Sequence, residues 1–144
     1  MLRAIFPPFV GGRAALALLL LRLVGGGAFV MHGWGKIQSP FGWMGPEAPV
    51  PGVLQGLAAL SEFGGGLAWI VGLLTPLASL GILFTMTVAA LFHIGKGDPF
   101  VGQPASWELA GLYWTIALLL ILVGPGRLSI DAQVFGASRE RRAG

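Results

Sequence analysis

The apolar residues of the chain fall into four long runs, at about residues 14–34, 53–74, 76–94 and 106–123, separated by short stretches rich in glycine, proline or charge. A helix needs about 20 mostly apolar residues to cross the hydrocarbon core of a bilayer, and the runs are near that length. The pattern predicts an all-α membrane protein, a bundle of four transmembrane helices arranged as two antiparallel hairpins. Thr75-Pro76 leaves only a minimal turn between the second and third runs, so those two must lie antiparallel. Residues 37–52 hold Pro40, Pro46, Pro49 and Pro51 with Phe41, Trp43 and Met44. That reads as a structured loop whose aromatic rings sit at headgroup level. Ser106 is expected to cap the fourth helix and Gly124-Pro125-Gly126 to stop it. Residues 1–134 then make one domain, with a basic tail at 135–144.

A secretory signal peptide competes for the first run, with residues 14–21 as its apolar core and Gly26-Gly27-Ala28 as a cleavage site. Arg22 is out of place in such a peptide and the apolar run resumes beyond it to Val30, which favours a retained helix. Inside the second run, Gly52, Gly56, Gly64, Ala68 and Gly72 recur at four-residue spacing, interrupted once by Leu60. Small residues on one helical face let a neighbouring backbone approach closely in lipid, so this face is expected to pack against another helix. Gly81, Thr85, Ala89 and His93 mark a similar face on the third run.

Composition agrees with the pattern. The chain is 55% hydrophobic and 10% charged, with a mean hydropathy of +0.80. A soluble domain carries roughly a quarter charged residues, and little chain remains here for a separate catalytic domain. The formal charge of +3 does not point to nucleic acid, because most basic residues cluster near the two ends. Arg3 and Arg13 precede the first run, and Arg127, Arg139, Arg141 and Arg142 follow the fourth, against Lys36 and Lys96 in the loops on the other side. The positive-inside rule then places both termini in the cytoplasm. With no cysteine the chain can form no disulfide, thiolate metal site or thiol relay, so redox work would need a bound cofactor or a partner protein.

Two groups of polar residues interrupt the apolar runs. Arg22 and Glu62 each lie about nine residues in from a predicted span boundary, which puts both near the midplane at about 1.5 Å per residue. The plain structural reading is a buried ion pair joining spans one and two. The functional one is a proton-relay carboxylate or a charge lining a substrate cavity. The second group lies at the predicted outer end: His32, Lys36, His93, Lys96 and Glu108, with Trp34 and Trp107 beside them. The chain holds only two histidines, and they stand in similar endings, Met31-His32-Gly33-Trp34-Gly35-Lys36 and His93-Ile94-Gly95-Lys96, each soon followed by Pro-Phe. That echo suggests an internal repeat of two helical hairpins. Histidine and tryptophan are at home at a membrane interface, and Glu108 suits a helix N-terminus through the dipole. Alternatively, the group forms a polar pocket whose imidazoles exchange protons with a quinone-like headgroup, with Glu108 as their acidic partner. Zinc fits less well, because no paired histidine spacing exists. A bis-histidine haem is geometrically conceivable and ranks behind quinone.

Taken together, the ending at His32 to Lys36, Glu62-Phe63-Gly64-Gly65-Gly66, Gly72-Leu73-Leu74-Thr75-Pro76, the stretch from Met86 to His93, Glu108-Leu109-Ala110 and Gly124-Pro125-Gly126-Arg127-Leu128-Ser129-Ile130-Asp131 resemble the DoxX family of small four-span membrane proteins. The resemblance covers about residues 14–131. It implies a multi-pass protein of the bacterial inner (plasma) membrane and, from the family's association with a quinol oxidase, a quinone-linked role with electrons supplied by a redox partner protein. On that reading His32, His93 and Glu108 are the catalytic candidates, and Lys36, Trp34, Trp107, Arg22 and Glu62 the ligand-binding ones. A non-catalytic assembly factor for a partner complex and a small-molecule transporter, which with four spans would need to be a homo-oligomer, are the alternatives.

Overall fold

The computed structural model describes residues 6–136, which fold into four α-helices and a closing C-terminal segment. Arg3 and the basic residues of the tail from 137 onward lie outside the described residues, and so does the greater part of the predicted tail. The helices are α1 (Gly12–Ile37), α2 (Gly52–Val71), α3 (Thr75–Gly95) and α4 (Glu108–Val123), followed by a single π turn at Ala132–Gly136. Three of them, α1 to α3, are long and apolar enough to cross a membrane. α4 has 16 residues, about 24 Å of helix, somewhat short of a hydrocarbon core of about 30 Å.

The surface is the inverse of a soluble protein's. Leu20, Val24, Met31, Phe84, Val88, Leu91 and Leu122 face outward, while Arg22, Glu62, Gln55, Ser79 and Asp131 are buried. A lipid surround makes that arrangement favourable, whereas water would penalise the exposed leucines and favour exposing the buried charges.

Consecutive helices pack against one another. Gly26 faces Gly66 and Gly33 faces Phe63, so α1 and α2 run antiparallel. Gly65 faces the Ala78 carbonyl and Ser61 meets Gly81, giving the same relation between α2 and α3. The α3–α4 pair is tied by Trp114 Nε1, which donates to Thr87 Oγ1 at 3.0 Å. Between these pairs lies a core of Leu18, Phe29, Trp69, Ile82, Met86, Ala117 and Leu120. The Trp69 ring meets Phe29 edge-on at 5.4 Å and its Nε1 donates to Ser79 Oγ at 2.9 Å, so its polar atom is satisfied inside the bundle.

Closest approach of α1 and α2 uses a different face from the one the four-residue glycine spacing predicts. A Cβ on Gly26 would stand 2.7 Å from the carbonyl oxygen of Gly66, and one on Gly66 would stand 2.8 Å from that of Gly26. No side chain fits there. By contrast Gly52 and Gly56 lie under Phe41 of the α1–α2 loop, and Gly64 meets only Leu60 of its own helix. The glycine spacing predicts one face, but α2 has two different coverings along its length.

Ser106 does not cap α4. The helix starts at Glu108, and the amides of Trp107 and Glu108 donate to the carbonyls of Pro99 and Phe100 at 3.3 and 2.9 Å. The preceding loop thus folds back and supplies the acceptors by backbone.

Candidate functional site

At the end of the bundle where α1 and α3 terminate (the His end), the interior opens into a cavity of about 260 Å³. Every helix contributes to its wall. α1 gives Phe29, His32 and Lys36, α2 gives Glu62, α3 gives Met86, Ala89 and His93, and α4 with its lead-in gives Ser106, Leu109, Ala110 and Tyr113. The backbones of α1 and α4 hardly touch, and that seam is bridged by rings: Phe29 to Tyr113 at 4.7 Å and His32 to Tyr113 at 6.5 Å. The volume falls below the roughly 300–1,000 Å³ of drug-sized pockets, so it suits one ring or headgroup and not a haem.

The strongest polar feature in its wall is an ion pair. Lys36 Nζ lies 2.6 Å from both carboxylate oxygens of Glu62. Glu62 is almost fully buried, at 4% side-chain exposure, whereas Lys36 keeps 25%. Above the ammonium lies the Trp43 ring, 4.5 Å from Nζ to centroid. Trp43 is itself fixed by its Nε1, which donates to the Gln55 carbonyl at 3.0 Å. Gln55, buried at the start of α2, holds the loop a second way: it accepts from the Met44 amide and donates to the Val50 carbonyl. The proline-rich loop is therefore a built cover for the Lys36–Glu62 pair, pinned by one glutamine.

This corrects the expected partnership of Arg22 with Glu62. The counting error is geometric. α2 begins about two turns beyond the end of α1, under the loop, so residues counted from its start overstate depth. Glu62 lies level with Gly33 of α1, beside Phe63. Arg22 lies instead at the opposite end of the bundle (the Arg end), level with Trp69 and Ile70. Its guanidinium donates to the carbonyls of Trp69 (2.9 Å), Ile70 (3.4 Å) and Leu128, the last a very short contact. The carbonyls of Trp69 and Ile70 belong to the last turn of α2, the negative pole of that helix. Asp131 stands close by and takes the amides of Leu74 and Thr75 on its two carboxylate oxygens at 2.7 and 2.8 Å. Leu74 has φ +48, a left-handed conformation costly for a branched residue, and this hydrogen bond holds it there. Arg22 therefore lies away from the His-end cavity.

The two histidines differ. His93 Nδ1 lies 2.7 Å from Asp98 Oδ2, in the loop after α3, and the Asp98 amide donates back to the His93 carbonyl at 3.0 Å. His32 makes a ring contact to Tyr113 and, among the described residues, no hydrogen bond. Glu108, expected to be their acidic partner, is exposed and contributes to neither. It lines a separate open groove of about 660 Å³ between α3 and α4, with Trp107, Phe100, Gly111 and Thr115. Glu108, Gly111 and Thr115, spaced three and four residues apart on α4, share one surface, and that surface is the groove. Trp107 packs on Phe100 at 4.5 Å in the same groove. Trp34 packs on Phe63 at 5.8 Å and is 59% exposed, outside the cavity. Lys96, the counterpart of Lys36 in the echo, sits over Phe92 and faces outward.

Of the residues expected at a site, then, His32, Lys36, Glu62 and His93 meet at one cavity, while Arg22, Trp34, Trp107 and Glu108 do not. Asp98, Tyr113, Trp43 and Gln55 complete the site and were missed. A signal existed for two of them: Asp98 follows His93 by five residues, and Tyr113 is the sole tyrosine. Among the described residues, no group of three or more His, Asp or Glu side chains is placed to hold a metal.

The DoxX family profile matches residues 17–94, which includes both histidines, Arg22, Lys36 and Glu62. The chain is also similar to the inner membrane protein YqjF of Escherichia coli (strain K12), at 35% identity over 124 residues, covering 81% of this chain and 90% of that one. No solved structure matches the chain at a significant level. With a profile spanning more than half of its length and a relative similar across most of it, the chain belongs to the DoxX family and is a multi-pass protein of the bacterial inner membrane.

Proposed function

We propose that this protein is a redox-associated membrane subunit that binds the headgroup of a quinone in the His-end cavity, on the outer side of the membrane. The observation that carries the reading is the convergence of His32, Lys36, Glu62 and His93 from three helices on one cavity otherwise walled by Phe29, Met86, Leu109 and Tyr113. An apolar, ring-lined pocket with a few convergent polar groups suits a flat lipophilic ring with oxygen at its edge. When bound, a quinone would supply two-electron, two-proton chemistry. The chain's part is to bind and orient the ring, with His93 and His32 handling protons and the Lys36–Glu62 pair supplying a fixed field. Electrons come from a partner protein.

Two features support a one-sided site. The core of Phe29, Trp69, Ile82 and Leu120 is fully buried and separates the cavity from the Arg end, which favours a binding site over a transport path. Arg13 and Arg127 lie at the Arg end, and with the basic residues near the termini they favour an orientation with both termini cytoplasmic and all four helices spanning. The short α4 is then extended by its connecting segments.

The test is purification with native lipids, solvent extraction and chromatography of the extract. Co-purification of quinone in near-stoichiometric amount, lost in a His93→Ala, Glu62→Ala double variant that still folds, supports the proposal. Quinone at the level of bulk lipid in both proteins refutes it.

A further inference from the structure

The His93–Asp98 contact fixes more than the position of a ring. An ionised carboxylate is an acceptor only, so the 2.7 Å contact requires the proton on Nδ1. In the neutral imidazole the other nitrogen, Nε2, is then an acceptor. His93 lines the cavity and Asp98 does not, and with Nδ1 taken by Asp98 the ring nitrogen without a hydrogen bond among the described residues, and so left for a ligand, is Nε2. The Asp98 amide, bonded to the His93 carbonyl at 3.0 Å, holds the carboxylate in register with the ring. Ile37 stands at the same offset after His32, so only one of the two histidines has its tautomer set this way.

We infer that Asp98 is a positioning residue, and that by presenting Nε2 of His93 as an acceptor it makes the cavity select a ring bearing a hydroxyl donor, a hydroquinone, over the same ring as a quinone. The inference rests on the proposed quinone site and names its preferred redox form. A hydroquinone O–H donates to Nε2. A quinone carbonyl in the same place sets acceptor against acceptor and leaves both unpaired in a partly buried site. The expected discrimination is about tenfold in Kd.

Because the chain holds two histidines, ¹⁵N-histidine labelling reports four ring nitrogens, and a His32→Gln variant reduces them to the two of His93. At about pH 8, where an ordinary imidazole is neutral, the expected spectrum shows His93 with a protonated Nδ1 and a bare Nε2. Asp98→Asn is expected to return it to the Nε2–H tautomer and Asp98→Glu to keep it. Trimethylhydroquinone and trimethylbenzoquinone are then titrated anaerobically into the full-length protein by calorimetry. The wild type should bind the hydroquinone about tenfold tighter, and Asp98→Asn should erase that preference. Equal binding of both rings, a preference for the quinone, or an Nε2–H tautomer in the wild type would overturn the inference while leaving the quinone site standing. Binding of neither ring overturns the site and the inference with it.

Discussion

At the Arg end, a fully buried guanidinium donates from its two terminal nitrogens to the carbonyls of Trp69, Ile70 and Leu128 while its Nε has no partner among the described residues, and Asp131 accepts two amides at the turn into α3. At the His end, Lys36 and Glu62 are also paired, but beside them His32 is free of hydrogen bonds among the described residues and the interior is hollow. Both ends put charge inside an apolar bundle. One ties its buried charges to backbone groups at the end of α2, the start of α3 and the segment after α4. The other pairs its charged side chains with each other, Lys36 with Glu62, beside an open cavity. On the proposed reading, the difference separates a charge that holds the fold from charges that meet a ligand.

Sharpest at the Arg end, the contrast can be broken by Arg22→Leu, which removes the side-chain donor from the carbonyls of Trp69, Ile70 and Leu128. The expected loss is on the order of 3–5 kcal/mol, read as a large drop in thermal unfolding temperature in detergent. Asp131→Ala should follow at roughly 2–4 kcal/mol, because it orphans the Leu74 and Thr75 amides and frees a left-handed Leu74. Gly66→Leu drives a side chain into the Gly26 carbonyl and should cost about 1–3 kcal/mol or more, whereas Gly64→Leu should stay within about 0.5 kcal/mol. Measured by the same unfolding assay, equal effects at the two glycines would return the α1–α2 contact to the other face. At the His end, Glu62→Gln should cost about 1–3 kcal/mol, less than Arg22→Leu, since Lys36 can turn to solvent. Glu108→Gln should leave both stability and ring binding unchanged, as its carboxylate lines the outer groove.

How much of this could be read in the sequence follows the range of each interaction. The helices came through because hydrophobic runs are local, and the α2–α3 hairpin because Thr75-Pro76 admits no longer connection. The polar residues of the His end were recognised as a group for the same reason: each sits at a helix end. Their pairing was not legible. Glu62 looked deep because α2 was assumed to start level with the end of α1, and nothing local reveals that stagger. Asp131 reaches Leu74 across 57 positions, and no periodicity encodes such a contact. The echo between His32 and His93 held for residue type but not for partners, since Asp98 has no counterpart after His32. Gln55 was hidden for another reason: a glutamine in the first turn of a helix looks like surface until a loop is laid over it.

The central claim is that the His end, and not the groove beside it, receives a quinone-type ring. Its most direct test is an anaerobic calorimetric titration of trimethylhydroquinone into the wild type and into His93→Ala, Glu62→Gln and Glu108→Gln proteins in one detergent. The account predicts saturable binding at one site, weakened about tenfold or more in the first two variants and unchanged in the third. Absence of saturable binding, or a loss at Glu108→Gln equal to that at His93→Ala, would contradict it.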